Sequence, residues 1–321
     1  MKQRAFRWLA AAALLLWCGV FLRAENTEKS MVRALLIQPP QAEEAEWTVG
    51  LLYQFPEAEA DSSEARAAVR FCSGQGKTPE EARQNAESGL PRQASYRICE
   101  YLAFSTDCSL QAIRQLAVSL QKDPVQGGSK RVLLYRLPEE FSSLEEETGE
   151  LPEQLLQALK NASAQMPRLY ESARAMLLPV MEFPEGGAAF AGEGALLTET
   201  GTTCLPEDET RMARLLLGRG TGIAFPLEEG TVTFRRCVVS VEAEGGGFRV
   251  TLSGQSPAGA ASVTPEQRRQ LEKLCVRTLR HSWENGADLL SLGAVRALRQ
   301  GGKEALTTKN ACPQLRADVK F

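Results

Sequence analysis

The chain has a single histidine, His281, followed by Ser282, Trp283 and Glu284. Any Ser–His–Asp or Cys–His nucleophilic centre would have to be built on it, and Ser282 and Glu284 do not supply the usual spacing. Without a second histidine there is no H-E-x-x-H zinc pair, so His281 reads as a surface or interface residue. The stretch Gly74-Gln75-Gly76-Lys77-Thr78 invites a phosphate-loop reading. A Walker A loop needs a glycine five positions before the glycine of Gly-Lys-Thr, and that position is Phe71. These glycines are expected instead to supply positive φ in a strand-to-helix turn. Asp288 sits close to an apolar helix face and is a candidate partner contact; its other reading is a cap or hydrogen bond within its own fold. No carboxylate pair for glycosidase chemistry stands out among the 40 acids.

Eight cysteines are present. Cys18 lies in an apolar leader; Cys72, Cys99, Cys108, Cys204, Cys237, Cys275 and Cys312 are dispersed, with no C-x-x-C pair and no short metal spacing. They read as small buried hydrophobes, with one or two disulfides left open and no pairing legible. No catalytic residue, metal ligand or cofactor is assigned on these grounds.

The leader places everything behind it. Trp8 to Leu22 is fifteen residues without a charge, preceded by Lys2, Arg4 and Arg7. A positive head and an apolar run make a secretory signal or signal-anchor, with the basic end kept in the cytoplasm. Fifteen residues at 1.5 Å each reach roughly 22 Å, short of the ~30 Å hydrocarbon core. Three fates stay open: cleavage after Ala24, retention as a short anchor, or lipidation at Cys18. Removing the leader's four basic residues from the chain's 37 leaves 33 against 40 acids, a net charge of −7. That balance argues against nucleic acid and against a polybasic patch on anionic lipid.

Strands are expected at Met31–Ile37, Trp47–Phe55, Ala67–Ser73, Ile98–Phe104 and Arg131–Leu137. Thr78-Pro79-Glu80-Glu81 starts a helix, with Thr78 as cap, Pro79 at the first helical position and Glu81 reaching back to the Thr78 amide. That helix runs to about Ser88 and stops at Gly89. Leu110, Ile113, Leu116, Ala117 and Leu120 space the buried face of another. The acidic, aperiodic stretch 138–150 marks a boundary. Two short helices are expected from Pro152 to about Met176, then strands at Leu177–Phe183 and Ala188–Leu197, then a helix from Pro206 with acids leading and arginines trailing. Thr231–Val241 and Gly247–Ser253 form a hairpin. Thr264-Pro265-Glu266-Gln267 caps a long helix that bends or breaks at Asn285-Gly286 and resumes through Ala287–Leu298. Leu315 to Phe321 alternates as a last strand.

In this order the pieces resemble the Ger(x)C-type spore germination proteins, the C subunits of germinant receptors. The likeness lies in Arg23–Ile37, in Gly74-Gln75-Gly76-Lys77-Thr78 with the following EEARQNAESGLPR, in ICEYLAF, in Phe190–Leu197 with Glu209-Thr210-Arg211 and LLLG, and in the closing RADVKF. Ala287-Asp288-Leu289-Leu290-Ser291-Leu292-Gly293 is similar to the family's A-D-hydrophobic-x-G-hydrophobic-G signature, with Ser291 in place of the first Gly. Laid without gaps against Glu25, the family's lipidated Cys falls at Val20, two residues beyond Cys18.

The resemblance implies an α+β, multi-domain ectodomain of three mixed α/β domains on largely antiparallel sheets. With the composition breaks, the expected division is 1–24, 25–138, 139–225 and 226–321. It further implies a non-enzymatic subunit on the extracytoplasmic face of the spore inner membrane, assembled with membrane-embedded A- and B-type receptor subunits. A secreted or anchored cell-wall hydrolase and an extracytoplasmic solute-binding protein are the alternatives.

Overall fold

A computed structural model describes residues 29–40, 46–56, 67–121, 130–136, 150–168, 175–183, 187–199, 201–260, 262–300 and 306–321. The leader with Cys18 and the acidic cluster Glu145–Glu147 lie outside this set. The fold is mixed α+β, with several sheets and six α-helices among the described residues. None of these helices is long and apolar enough to cross a membrane. The chain packs as two compact units: one holds the described residues up to Ala103 and those within Leu120–Lys130 and Leu137–Gln157, the other Phe104–Ser119, Arg131–Arg136 and the described residues of Ala158–Phe321.

In the first unit, β1 (Ser30–Gln38), β2 (Trp47–Pro56) and β3 (Ala67–Gly76) form an antiparallel meander. The short β4 (Ala94–Ser95) pairs parallel with β1. Leu35, Leu36 and Ile37 are buried in succession, as expected of a strand covered on both faces. The helix α1 (Pro79–Ser88) buries Ala82 and Ala86. Its cap forms as expected at Thr78, whose hydroxyl accepts from the Glu81 amide at 3.1 Å. The Glu81 carboxylate reaches one residue further back than the capping-box rule gives, accepting from the Lys77 amide at 3.0 Å.

The two glycines before this helix correct the expected backbone. Gly74 and Gly76 belong to β3 and neither has positive φ. What they provide is absence of bulk. A Cβ on Gly74 would stand 2.2 Å from the Ala86 nitrogen, and one on Gly76 2.5 Å from the Ala82 nitrogen. The helix therefore lies directly on strand backbone, and Asn85 Nδ2 donates to the Gln75 carbonyl at 2.6 Å. Downstream, β5 (Tyr101–Ser105) starts three residues later than expected. Cys99 instead closes a turn, its amide donating to the Tyr96 carbonyl at 3.0 Å.

Further along the chain, α2 (Leu110–Gln121) buries Leu110 and Ile113, and β6 (Arg131–Arg136) buries Val132 to Tyr135. The helix α3 (Glu150–Ala162) carries the buried stripe Leu155, Leu156, Leu159 and ends in a single 3-10 turn, Ser163–Gln165. The second short helix expected here is not begun at Met166, which is extended; Leu169 and Tyr170 lie outside the described residues. Then come β7 (Ala175–Glu182), parallel to β6, and β8 (Ala189–Thr198) and β9 (Gly201–Leu205), which continue antiparallel. β9 was not legible beforehand.

The helix α4 (Glu207–Leu216) follows, then the hairpin β10 (Ile223–Leu227) and β11 (Gly230–Phe234). The expected single strand Thr231–Val241 is two. β12 (Arg236–Glu244) pairs with β13 (Gly247–Gln255) in a separate sheet. Inward positions are Val232 and Phe234 before Arg235, and Cys237, Val239 and Val241 after it. The alternation slips by one residue at Arg235-Arg236, and a slip of one exchanges the faces of a strand. The chain bends there and joins a new partner.

The long helix α5 (Pro265–Glu284) has the reciprocal cap its sequence promised: Gln267 N donates to Thr264 Oγ1 at 3.1 Å and Thr264 N to Gln267 Oε1 at 3.0 Å. It buries Leu271, Leu274, Cys275, Thr278 and Leu279 against Val250, Leu252, Phe225, Phe234 and Val319. It ends at Asn285 with Gly286 at φ 86°. Helical structure resumes only at α6 (Leu292–Gln300), and β14 (Leu315–Lys320) completes the sheet parallel to β13.

Candidate functional site

Two of the residues singled out by the sequence, His281 and Asp288, fall in the second unit, on α5 and on the segment that joins α5 to α6. In that segment Ala287 is buried and Asp288 turns its carboxylate onto the start of α6. Oδ1 accepts from the Leu292 amide at 2.7 Å and Oδ2 from the Gly293 amide at 2.9 Å. Two first-turn amides that no helical carbonyl can satisfy are thereby paired. Asp288 is thus a helix cap.

The last three signature positions have equally definite roles. Ser291 has φ 54°, the one non-glycine residue with positive φ among the described residues. A side chain there costs about 1–2 kcal/mol relative to glycine. Leu292 is buried with Trp283 and Phe248. A Cβ on Gly293 would lie 2.3 Å from the Leu306 carbonyl oxygen, so this position excludes every residue but glycine unless the backbone moves.

His281 is half-buried on α5, its Nδ1 2.7 Å from Glu209 Oε2 on α4. With a carboxylate as acceptor, the hydrogen sits on Nδ1. Glu209 is 5% exposed and also meets Arg277 Nε at 3.0 Å; Arg277 bridges on to Asp208. The cluster Asp208, Glu209, Arg277, His281 ties the first turn of α4 to the second half of α5. No serine, cysteine or threonine side chain hydrogen-bonds His281 among the described residues, so the pair forms a clamp between helices. Ser282 is buried beside it with its hydroxyl unpaired, and Trp283 is buried with Nε1 donating to the Asn310 carbonyl at 3.0 Å. The sequence singles out His281 and gives Glu209 only as a leading acid of α4, not as its partner. An acid at the third position of α4, aligned with buried Met212, was the available signal.

The opposite side of α4 faces β8. Thr210 Oγ1 accepts from the Gly194 amide at 2.8 Å and donates to the Leu205 carbonyl at 3.0 Å. Gly192 and Gly194 let the helix approach: a Cβ on Gly192 would lie 2.6 Å from the Glu207 side chain, and one on Gly194 2.8 Å from Thr210 Cγ2. Beside this contact opens a cleft of about 260 Å³ walled by Leu177, Leu178, Pro179 and Phe190, with Glu193, Glu207, Arg211 and Arg214 as its charged groups. Arg211 pairs with Glu207. The Arg214 side chain has no hydrogen-bond or ion-pair partner among the described residues, and its Nε is buried and unsatisfied. Desolvation, then the nearby Arg211, push the Arg214 pKa below the usual guanidinium range. A buried donor left unpaired costs about 1–3 kcal/mol. In the sequence Arg211 stands only among the trailing arginines of α4 and in the Glu209-Thr210-Arg211 resemblance, and Arg214 has no role of its own; the Arg211-x-x-Arg214 spacing, one helix face with a matching acid only for the first, is the readable signal.

The glycine-lysine stretch of the first unit offers no phosphate cradle. Its helix N-terminus is occupied by its own Thr78 and Glu81, as described above. A larger cleft of about 530 Å³ borders the signature segment and is lined in part by Leu177, Leu217, Arg219, Asp288 and Leu306. Among the described residues no three histidine, cysteine or acidic side chains gather as a metal site.

No protein-family model matches the chain, and no curated protein matches it. Among solved structures, the crystal structure of the GerBC protein aligns with 89% of this chain and 96% of its own, with a TM-score of 0.46 and 9% sequence identity.

Proposed function

We propose that this chain is a Ger(x)C-type subunit of a spore germinant receptor. It is tethered at the extracytoplasmic face of the spore inner membrane and acts by assembly with membrane-embedded A- and B-type subunits. The observation that carries this reading is the local geometry of Ala287–Gly293. The family's signature places glycine where this chain has its left-handed residue, Ser291, and where Gly293 meets the Leu306 carbonyl. It places aspartate where a carboxylate caps α6. A spacing that resembles a family signature thus matches what this segment physically requires, which favours kinship over coincidence.

The mechanism that fits is conformational: partners that contact the resting and triggered states differently shift the balance between them. Asp288 is proposed as a partner contact in addition to its capping role. Because both its oxygens are committed to amides, an Asp288→Lys variant speaks to assembly only where circular dichroism shows the fold retained. The leader, with Cys18, supplies the tether.

The decisive experiment is co-purification from spores of the tagged chain with untagged membrane subunits, followed by mass analysis of the mature N-terminus. Recovery with both subunits, and a leader retained or lipidated, supports the proposal. Recovery of the protein free in the cytosol of vegetative cells, or peptidoglycan cleavage by the purified chain, overturns it.

A further inference from the structure

We infer that β12 is a self-association edge, along which a second copy of this chain adds its own β12 in antiparallel register centred on Val239. β12 lies at one border of the β12-β13-β14 sheet. Which of its backbone groups face outward follows from one bond. The Phe248 amide donates away from β12, to the Gln314 carbonyl, so Ala243, opposite Phe248, is a non-bonded position of the ladder. By alternation, the N–H and C=O groups of Cys237, Val239 and Val241 also point away from β13. No described residue bonds to them. Elsewhere side chains cap the sheet's borders: Arg299 reaches the Ala243 carbonyl, and on the far border Glu272 Oε1 accepts from the Val319 amide at 3.2 Å. The open run Cys237–Val241 has no lysine, no proline and no bulge, the devices that blunt a free edge.

The side chains choose the occupant. Antiparallel pairing about Val239 sets Cys237 against Val241, Val238 against Ser240 and Arg236 against Glu242 of the other copy, and a two-fold axis repeats each pair. Every outward N–H and C=O of Cys237, Val239 and Val241 then finds a partner. Arg236 and Glu242 are exposed on the same face of the strand, and neither forms an ion pair among the described residues. Val238, 68% exposed, gains the other copy's Val238 as a diagonal neighbour. The register is fixed from both sides. A slip of two residues one way sets Cys237 against Ala243, whose carbonyl is taken; the other way sets Arg236 against Ser240 and loses the charge match.

The pairing stands apart from the receptor-subunit reading: it needs only two copies of this chain, and loss of membrane partners would leave it intact. The test uses the full-length chain in detergent, with sedimentation velocity over a range of concentrations reading a monomer–dimer equilibrium. Arg236→Glu and Glu242→Arg should each weaken the dimer about tenfold, since like charges then face each other at both ends. An equimolar mixture of the two variants should recover the wild-type equilibrium, because the mixed pair sets opposite charges at both ends. A second readout is oxidative cross-linking. Positions 238 and 240 of two copies form a close non-bonded pair, with Cα atoms about 4.5 Å apart, within disulfide reach. Copper-phenanthroline treatment of mixed Val238→Cys and Ser240→Cys chains should therefore join their 237–249 tryptic peptides. The wild-type chain, with only Cys237 in that peptide, should give no such product. A monomer at every concentration, a dimer indifferent to both charge reversals or unrestored by mixing, or no such cross-link would each overturn the assignment.

Discussion

At Ser291 the chain holds a side chain in a backbone region that favours glycine. Replacing it with glycine should raise stability by about 0.5–1 kcal/mol, the relief of strain less the added freedom of the unfolded chain. Urea denaturation of the two proteins side by side measures this; an unchanged or lower midpoint would show that the serine side chain contributes contacts of its own. The thiols make a second residue-level prediction. Burial pushes Cys99 up to about 11 and Cys108 and Cys275 up to about 12, from an ordinary value of 9.0. The folded chain therefore keeps protons that the unfolded chain releases. Their contribution is fully present below about pH 9 and is lost as pH rises through 11 to 12, at up to ~1.4 kcal/mol per pH unit for each thiol. Cys108→Ala should flatten the decline in urea midpoint between pH 8.5 and 10.5. An identical slope in the variant would count against the cause.

Pairs of glycines seat two helices on two strands, with different tolerance. Under α1, Gly74 and Gly76 face helix backbone; under α4, Gly194 faces the end of the Thr210 side chain. Backbone cannot turn aside, whereas a side chain has other rotamers. Gly74→Ala should thus cost about 2–3 kcal/mol and Gly194→Ala less, near 1 kcal/mol. Chemical denaturation ranks them, and the reverse order would show that α1 lifts more freely than α4. The same elements show how far a one-dimensional reading carries. Both Thr-Pro caps were legible, because Thr78 and Thr264 bond within three residues of themselves. The expectation of turn geometry at Gly74-Gln75-Gly76 fails because the close approach these glycines serve is made by helix backbone six to twelve residues on, at Ala82 and Ala86. The Thr231–Val241 strand was drawn too long because Arg235-Arg236 looks like two solvated residues of a continuous run, not a phase slip.

For the whole molecule, the seven cysteines of the described residues are all free thiols. Cys99, Cys108 and Cys275 are buried, Cys72, Cys237 and Cys312 half-buried, and only Cys204 is exposed. Thermal unfolding should therefore occur at the same temperature with and without reductant; a drop of several degrees on reduction would reveal a disulfide. By itself the sequence determined most strands, both helix caps and the apolar stripe of α5. These follow from bonds and periodicities within a few residues, where local sterics decide. Only the tertiary structure decided that His281 pairs with Glu209 across 72 positions, that Asp288 closes onto α6, and that Arg214 is left unpaired. Such pairings depend on which helix faces meet, and that is set by how the full set of apolar surfaces packs, a property no short window of residues contains.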